Sequence, residues 1–113
     1  NGKKLRSDGT GEQSRDLCYI DNVVEANILS MLYEESLEAR AFNVACGDRI
    51  SNNQILKYLK NRYPKIEIYS APKRPGDVMH TQADIGDTTE ILNYNNYISF
   101  WEGLERTINW WKL

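Results

Sequence analysis

Two of the chain's three prolines, Pro72 and Pro75, closely precede Gly76 in the stretch Ala71–Ile85, and this is where the backbone has the least choice. Each proline fixes its own φ and pushes the residue before it towards an extended conformation. Gly76 opens a turn conformation closed to residues with a Cβ. The turn Arg74-Pro75-Gly76-Asp77 is therefore stiff, with an arginine at one end and an aspartate at the other. A guanidinium is a planar fork matched to phosphate oxygens. An ionised aspartate only accepts hydrogen bonds, so it suits a sugar hydroxyl. Such a loop can grip a nucleotide diphosphate, or it can be a surface turn closed by a local Arg–Asp pair. Spacing alone leaves both open.

At 113 residues the chain has the size of one ordinary domain with one modest core. A net charge of −2 gives no positive field to favour nucleic acid. No apolar run approaches twenty residues, so no membrane span is expected, and no secretory leader is visible. The first residue is Asn1 rather than Met, which reads as a fragment of something longer. Cys18 and Cys46 lack metal-ligand spacing; we expect free thiols and hence a reducing, cytoplasmic setting, with a disulfide as the alternative.

Taken in order, residues 1–14 are polar and glycine-bearing and read as a loop. Arg15–Ile20 reads as a strand. Asp21 is placed to cap a helix over about 22–36, with Val24, Ile28, Met31 and Leu32 at helical spacing. Ala41–Cys46 reads as a short buried strand ending at Gly47-Asp48. Ser51 and Gln54 form a capping box that opens a helix running to about Arg62, stopped by Pro64. Lys65–Tyr69 alternates as a half-exposed strand. Asp87 is placed to cap a short helix, Thr88–Leu92. Ser99 and Glu102 form a second box for a last helix running close to Leu113. On it Phe100, Leu104, Ile108 and Trp111 share a face, while Trp101 and Trp110 point elsewhere. The tryptophans are either a large core patch or an exposed docking surface. The sum is an α+β domain of short strands and about four helices, not a doubly wound sheet.

Two spacings mimic catalytic or cofactor motifs. Gly9-Thr-Gly11-Glu-Gln-Ser14 nearly spells a dinucleotide fingerprint, but it follows a charged segment and precedes an extended one, where the motif needs a buried strand and then a helix. Tyr69-Ser-Ala-Pro-Lys73 has the spacing of a Tyr-x-x-x-Lys pair, yet Pro72 inside it is incompatible with the helix such a pair requires. Neither is taken as functional, and no catalytic or metal residue is assigned.

Three longer stretches match a known family. Ser14-Arg-Asp-Leu-Cys-Tyr-Ile-Asp-Asn-Val-Val24 resembles the Ser-Arg-Asp-aromatic-x-Tyr-Val-Asp-Asp-Val-Val segment of extended short-chain dehydrogenases/reductases. Phe42-Asn-Val-Ala-Cys-Gly-Asp-Arg-Ile-Ser51 resembles their Tyr-Asn-Val-Gly-x-Gly-x-x-x-Ser segment. Arg74-Pro-Gly-Asp-Val-x-His-Thr-x-Ala-Asp84 resembles their Arg-Pro-Gly-Asp-x-x-x-Ser-x-Ala-Asp segment. Order and spacing agree across nearly the whole chain, and the nearest likeness is to the nucleotide-sugar epimerases, particularly those acting on UDP-N-acetylhexosamines and related sugars.

The resemblance implies that residues 1–113 are the C-terminal, nucleotide-sugar-binding domain of such an enzyme. By it, Arg74 binds the nucleotide diphosphate, Asp77 a ribose hydroxyl, and Arg15 also faces the nucleotide; Arg49 stands where some members have a further nucleotide-contacting arginine. Leu17 replaces a usual aromatic residue, so contacts of that ring are not carried over. NAD and the catalytic Tyr-x-x-x-Lys belong to an N-terminal Rossmann domain that this chain lacks. The expected partners are thus a UDP-sugar and that Rossmann domain, with no nucleic acid and no membrane. Alone, the chain is expected not to catalyse and to self-associate through the surface that would face the Rossmann domain. A dehydratase or decarboxylase parent, a non-catalytic nucleotide-sugar-binding module and a protein-interaction module are the rival readings. Which sugar is used is not encoded in these residues.

Overall fold

The computed structural model describes residues 2–111. In chain order the elements are β1 (Leu5–Asp8), β2 (Ser14–Arg15), α1 (Ile20–Leu32), β3 (Ile50–Ser51), α2 (Asn52–Arg62), β4 (Ile68–Ala71), α3 (Gly86–Leu92) and α4 (Phe100–Trp110). Short strands and four helices are the α+β content expected. No helix among the described residues is long and apolar enough to cross a membrane. The chain divides into two compact units, Asn1–Arg15 with Arg49–Thr81, and Asp16–Asp48 with Gln82–Leu113.

The first unit is built on two small sheets. β1 pairs in parallel with β4, with Leu5 opposite Ile68 and Asp8 opposite Ala71. Parallel strands need a long crossover, and α2 lies within this one. The strand β1 corrects the reading of residues 1–14 as loop. Its side chains are mostly polar and Lys4 pairs with Glu67 at 2.6 Å, so no apolar alternation marks it in the sequence. β2 pairs antiparallel with β3, and β2 stops at Arg15 instead of continuing to Ile20. β4 begins at Ile68, later than expected.

The capping box of α2 forms as read: Gln54 N–H donates to Ser51 Oγ at 3.1 Å, and Ser51 N–H donates to Gln54 Oε1 at 2.8 Å. Lys60 and Arg62 in the last turn complement the helix dipole. The loop of residues 9–13 is tied to the start of this helix. Asn53 N–H donates to Gly11 O at 2.8 Å and Asn52 N–H to Gln13 O at 3.1 Å. Gly11 has φ +77°, and a Cβ there would lie 1.9 Å from Asn53 Oδ1. The glycine is required by this close approach.

The second unit holds most of the core. Ala26, Ala45, Leu92, Tyr94 and Ile108 are buried, together with Asn22 and Thr88. Asn22 Nδ2 donates to Ile98 O at 2.8 Å, and its Oδ1 accepts from Ile98 N–H at 2.7 Å, so one side chain satisfies a whole peptide register. The segment Ala41–Cys46 is not a strand. Its backbone groups are met by side chains: Cys46 N–H by Asp16, Ala45 O by the Tyr94 hydroxyl, Asn43 O by the Thr88 hydroxyl. A segment whose partners are side chains keeps an apolar composition without a ladder.

The helices of this unit depart from expectation in their details. α1 starts at Ile20 with Tyr19 as N-cap, and Asp21 sits in the first turn without capping. Asn22 and Ala26 face the core, while Val24, Ile28, Met31 and Leu32, the expected apolar face, are exposed. Asp87 likewise lies in the first turn of α3 and pairs with Arg40 at 2.8 Å rather than capping. At α4 only half of the box forms. Glu102 N–H donates to Ser99 Oγ, but the Glu102 carboxylate takes Arg106 instead of reaching back. Gly103 is needed on α4 because a Cβ there would lie 2.6 Å from Tyr19 Cβ. Ile108 is buried and Phe100 and Leu104 are half-buried, whereas Trp110 and Trp111 are exposed. The expected run of this helix to Leu113 ends outside the described residues.

Candidate functional site

The Arg74–Asp77 turn closes through an Asp77 N–H bond to Arg74 O at 3.2 Å. Pro75 and Gly76 occupy its centre and Gly76 has φ +76°, the left-handed value that the third position of a type II turn demands. The two charged ends do not pair with each other. Asp77 Oδ1 accepts from Arg15 Nη2 at 2.5 Å, and Arg74 Nε donates to Asp8 Oδ2 at 2.5 Å. The turn is thereby tied to β2 on one side and to the end of β1 on the other.

These groups line one open cleft of about 510 Å³ in the first unit, with Arg6, Asp8, Arg15, Arg74 and Asp77 as its charged members. Three guanidiniums against two carboxylates give a net positive lining suited to an anion. Arg15 is the best anchored: Nη1 donates to Ser14 O at 2.8 Å while Nη2 holds Asp77, and its side chain is only about a third exposed. Asp77 uses one carboxylate oxygen on Arg15, and a carboxylate has a second to offer a hydroxyl. Arg74 reaches furthest into solvent, at 71% exposure.

β2 is positioned from below. Ser14 is buried and its hydroxyl meets His80 Nδ1 at 2.7 Å, while Ser14 N–H donates to Met79 O and Ser14 O accepts from Thr81 N–H. The strand that carries Arg15 is thus fixed against the segment that follows Asp77.

Sequence reasoning missed Asp8 and Arg6. Asp8 binds Arg6 Nε at 2.6 Å through one oxygen and Arg74 Nε through the other, with only 13% of its side chain exposed. Hydrogen bonding to Arg6 holds its carboxyl below the usual aspartate range; burial opposes this and Arg74 reinforces it. The only clue in the sequence was a charged Arg-x-Asp alternation ahead of Gly9, easily passed over in a polar stretch. Arg49, by contrast, is exposed just before β3 and does not line the cleft.

The chain also matches known proteins. A scan against protein-family models finds no match. The UDP-glucuronate 4-epimerase of Thermodesulfobacterium geofontis is 36% identical over 97% of this chain. The UDP-glucose 4-epimerase of Thermotoga maritima, solved with UDP-glucose, superposes with a TM-score of 0.85 at 33% identity over 98% of the chain. The chain resembles the C-terminal region of nucleotide-sugar epimerases of the extended short-chain dehydrogenase/reductase family. A UDP-glucuronic acid 4-epimerase from Bacillus cereus, in complex with UDP-glucuronic acid and NAD, gives a TM-score of 0.87 at 25% identity over 97% of the chain. The chain spans about a third of each relative: 34% of the first and 35% of each solved structure.

The epimerase likeness raises the question of NAD, and the residues here do not fit it. The glycines of Gly9-Thr-Gly11 lie between two short strands, and Ser14 begins β2 where a dinucleotide cradle would open a helix. Gly11 is filled by Asn53, and its carbonyl is already bonded to α2. Tyr69, in the Tyr-x-x-x-Lys spacing, lies on strand β4, so no helical turn brings it beside Lys73.

Proposed function

We propose that residues 1–113 serve as the substrate-binding region of an NAD-dependent nucleotide-sugar epimerase, and that the Arg15–Arg74–Asp77 cleft holds the UDP end of the substrate. The observation that carries this reading is the convergence of Arg15, Arg74 and Asp77 on one cleft from two distant segments. In it Arg74 and Arg15 take the phosphates, and the second oxygen of Asp77 takes a ribose hydroxyl. Arg49 is left out because it does not line the cleft. NAD would supply hydride transfer from a part of the parent enzyme outside this sequence, so this chain's share is to bind the nucleotide and orient the sugar.

Because only this part of the substrate's surroundings lies in the chain, we expect a dissociation constant of about 1 mM for UDP, near −4 kcal/mol. An NMR titration of the chain with UDP, repeated on Arg74→Ala, tests the reading. Saturable shifts at Arg15, Arg74 and Asp77 that vanish in the variant support it. The parent enzyme is read as cytoplasmic. Self-association of the isolated chain, also part of this reading, has a face available in Ile20, Val24, Ile28 and Met31, which are exposed at helical spacing on α1.

A further inference from the structure

Asp8 is the least exposed charged group of the cleft, and it holds two arginines at once. Each arginine is engaged through Nε. A guanidinium bonded at Nε presents its two terminal nitrogens on a different edge, as a fork available to a second anion. Arg6 and Asp8 sit two apart on β1 and so project from the same face of the strand. Arg6 is half exposed and Arg74 more so, which puts the shielded carboxylate at the base and the two cationic arms towards the opening. Arg74 alone would neutralise Asp8. A second arginine on the same carboxylate is surplus to that purpose and leaves the triad with a net positive charge.

We propose that Arg6 is a further anion-contacting arginine of this cleft, yoked to Arg74 by the Asp8 carboxylate, and that the two arms together select a diphosphate over a monophosphate. This rests on the reading of the cleft as a nucleotide diphosphate site. Two forks set side by side can each take an oxygen pair from adjacent phosphates, whereas a single phosphate occupies one fork and leaves the other solvated. Asp8 is a positioning residue: it restricts two long side chains that would otherwise lose rotamer freedom on binding.

The test is a titration of the full chain with UDP and with UMP, for the wild type and for Arg6→Gln, Arg6→Lys and Arg74→Ala. The wild type should bind UDP about tenfold more tightly than UMP. Arg6→Gln should weaken UDP about tenfold and change UMP by less than about twofold, removing the preference, and Arg6→Lys should restore part of it. Amide spectra verify that each variant is folded, and Arg6 is exposed enough for substitution to be tolerated. The Asp8 role is read separately, from the side-chain Nε–H resonances of Arg6 and Arg74, which should lose their hydrogen-bonded shifts together in Asp8→Asn. If Arg6→Gln binds UDP like the wild type while Arg74→Ala does not, the inference is overturned and the reading of the cleft stands. If the wild type binds neither nucleotide, both fall.

Discussion

Arg15 and Asp77 stand 62 positions apart in the chain and close on each other at 2.5 Å. This pair joins β2 to the Pro75-Gly76 turn, so the residue expected to meet phosphate and the residue expected to meet ribose are set against each other. The pair is partly solvated, so its contribution to stability is small, about 0–1 kcal/mol. Its value lies in fixing the orientation of both groups.

That division predicts a separation of binding from stability. Asp77→Ala should lower the thermal midpoint by only a few degrees, in line with about 1 kcal/mol. It should weaken UDP binding about tenfold. With UDP analogues lacking the ribose hydroxyls the same substitution should change little. A variant that loses equal affinity for both ligands would show that Asp77 acts on something other than the ribose.

Asp8 gives a pH dependence with a defined sign. Its carboxyl titrates below the ordinary value in the folded chain because Arg6 and Arg74 hold the ionised form. A group with a depressed folded pKa contributes stability above its unfolded pKa, about 3.9, and that contribution disappears as pH falls through the folded value. The difference in urea midpoint between the wild type and Asp8→Asn should therefore be constant near neutrality and shrink below about pH 4. A difference that grows on acidification would contradict the assignment.

Gly103 and Asn22 test the second unit. A Cβ at residue 103 would meet Tyr19 Cβ at 2.6 Å, so Gly103→Ala should destabilise by about 1–3 kcal/mol despite the higher helix propensity of alanine. Asn22→Ala would strand the Ile98 N–H and leave its carbonyl only the longer contact from Cys46 Sγ, and should cost about 1–3 kcal/mol. Circular dichroism melts decide both, and a neutral or stabilising Gly103→Ala would show that α4 does not pack there as described.

The thiols should be unreactive in the native state. Cys18 and Cys46 are free, and burial pushes both upward, Cys46 to about 11. At neutral pH the Cys46 thiolate is about one part in ten thousand, and the thiolate is the reactive form. Iodoacetamide should label Cys46 slowly until the chain is unfolded in urea. Rapid native labelling would mean that the segment around Ala45 and Cys46 opens readily.

The exposed stripe on α1 predicts that the isolated chain associates with itself. Sedimentation coefficients should rise with concentration, and Val24→Glu with Met31→Glu should abolish the rise. A monomer at every concentration would remove self-association from the account.

The sequence was legible where local chemistry decides structure. The Ser51/Gln54 box, the stop near Pro64 and the turn at Pro75-Gly76 all depend on nearest neighbours, and all form. It was less legible where long-range partners decide. β1 is written in polar residues because its neighbours supply ion pairs. Ala41–Cys46 reads as a strand because its composition does not reveal that Asp16, Thr88 and Tyr94 bond its backbone. Val24, Ile28 and Met31 have the spacing of a buried face, but Asn22 and Ala26 take the core side of α1. Of the site, Arg74 and Asp77 stood out from the chemistry of their turn, and motif likeness gave them, with Arg15, their roles. Asp8 was missed because its importance comes from meeting Arg74, 66 residues away, and Arg6 because it joins the site only through Asp8.

The most direct test of the central claim is the NMR titration of the chain with UDP alongside Arg74→Ala. The account predicts saturable shifts centred on Arg15, Arg74 and Asp77, with a dissociation constant of about 1 mM in the wild type and at least about tenfold weaker binding in the variant. Shifts that are absent up to tens of millimolar, or that persist unchanged in Arg74→Ala, would contradict it.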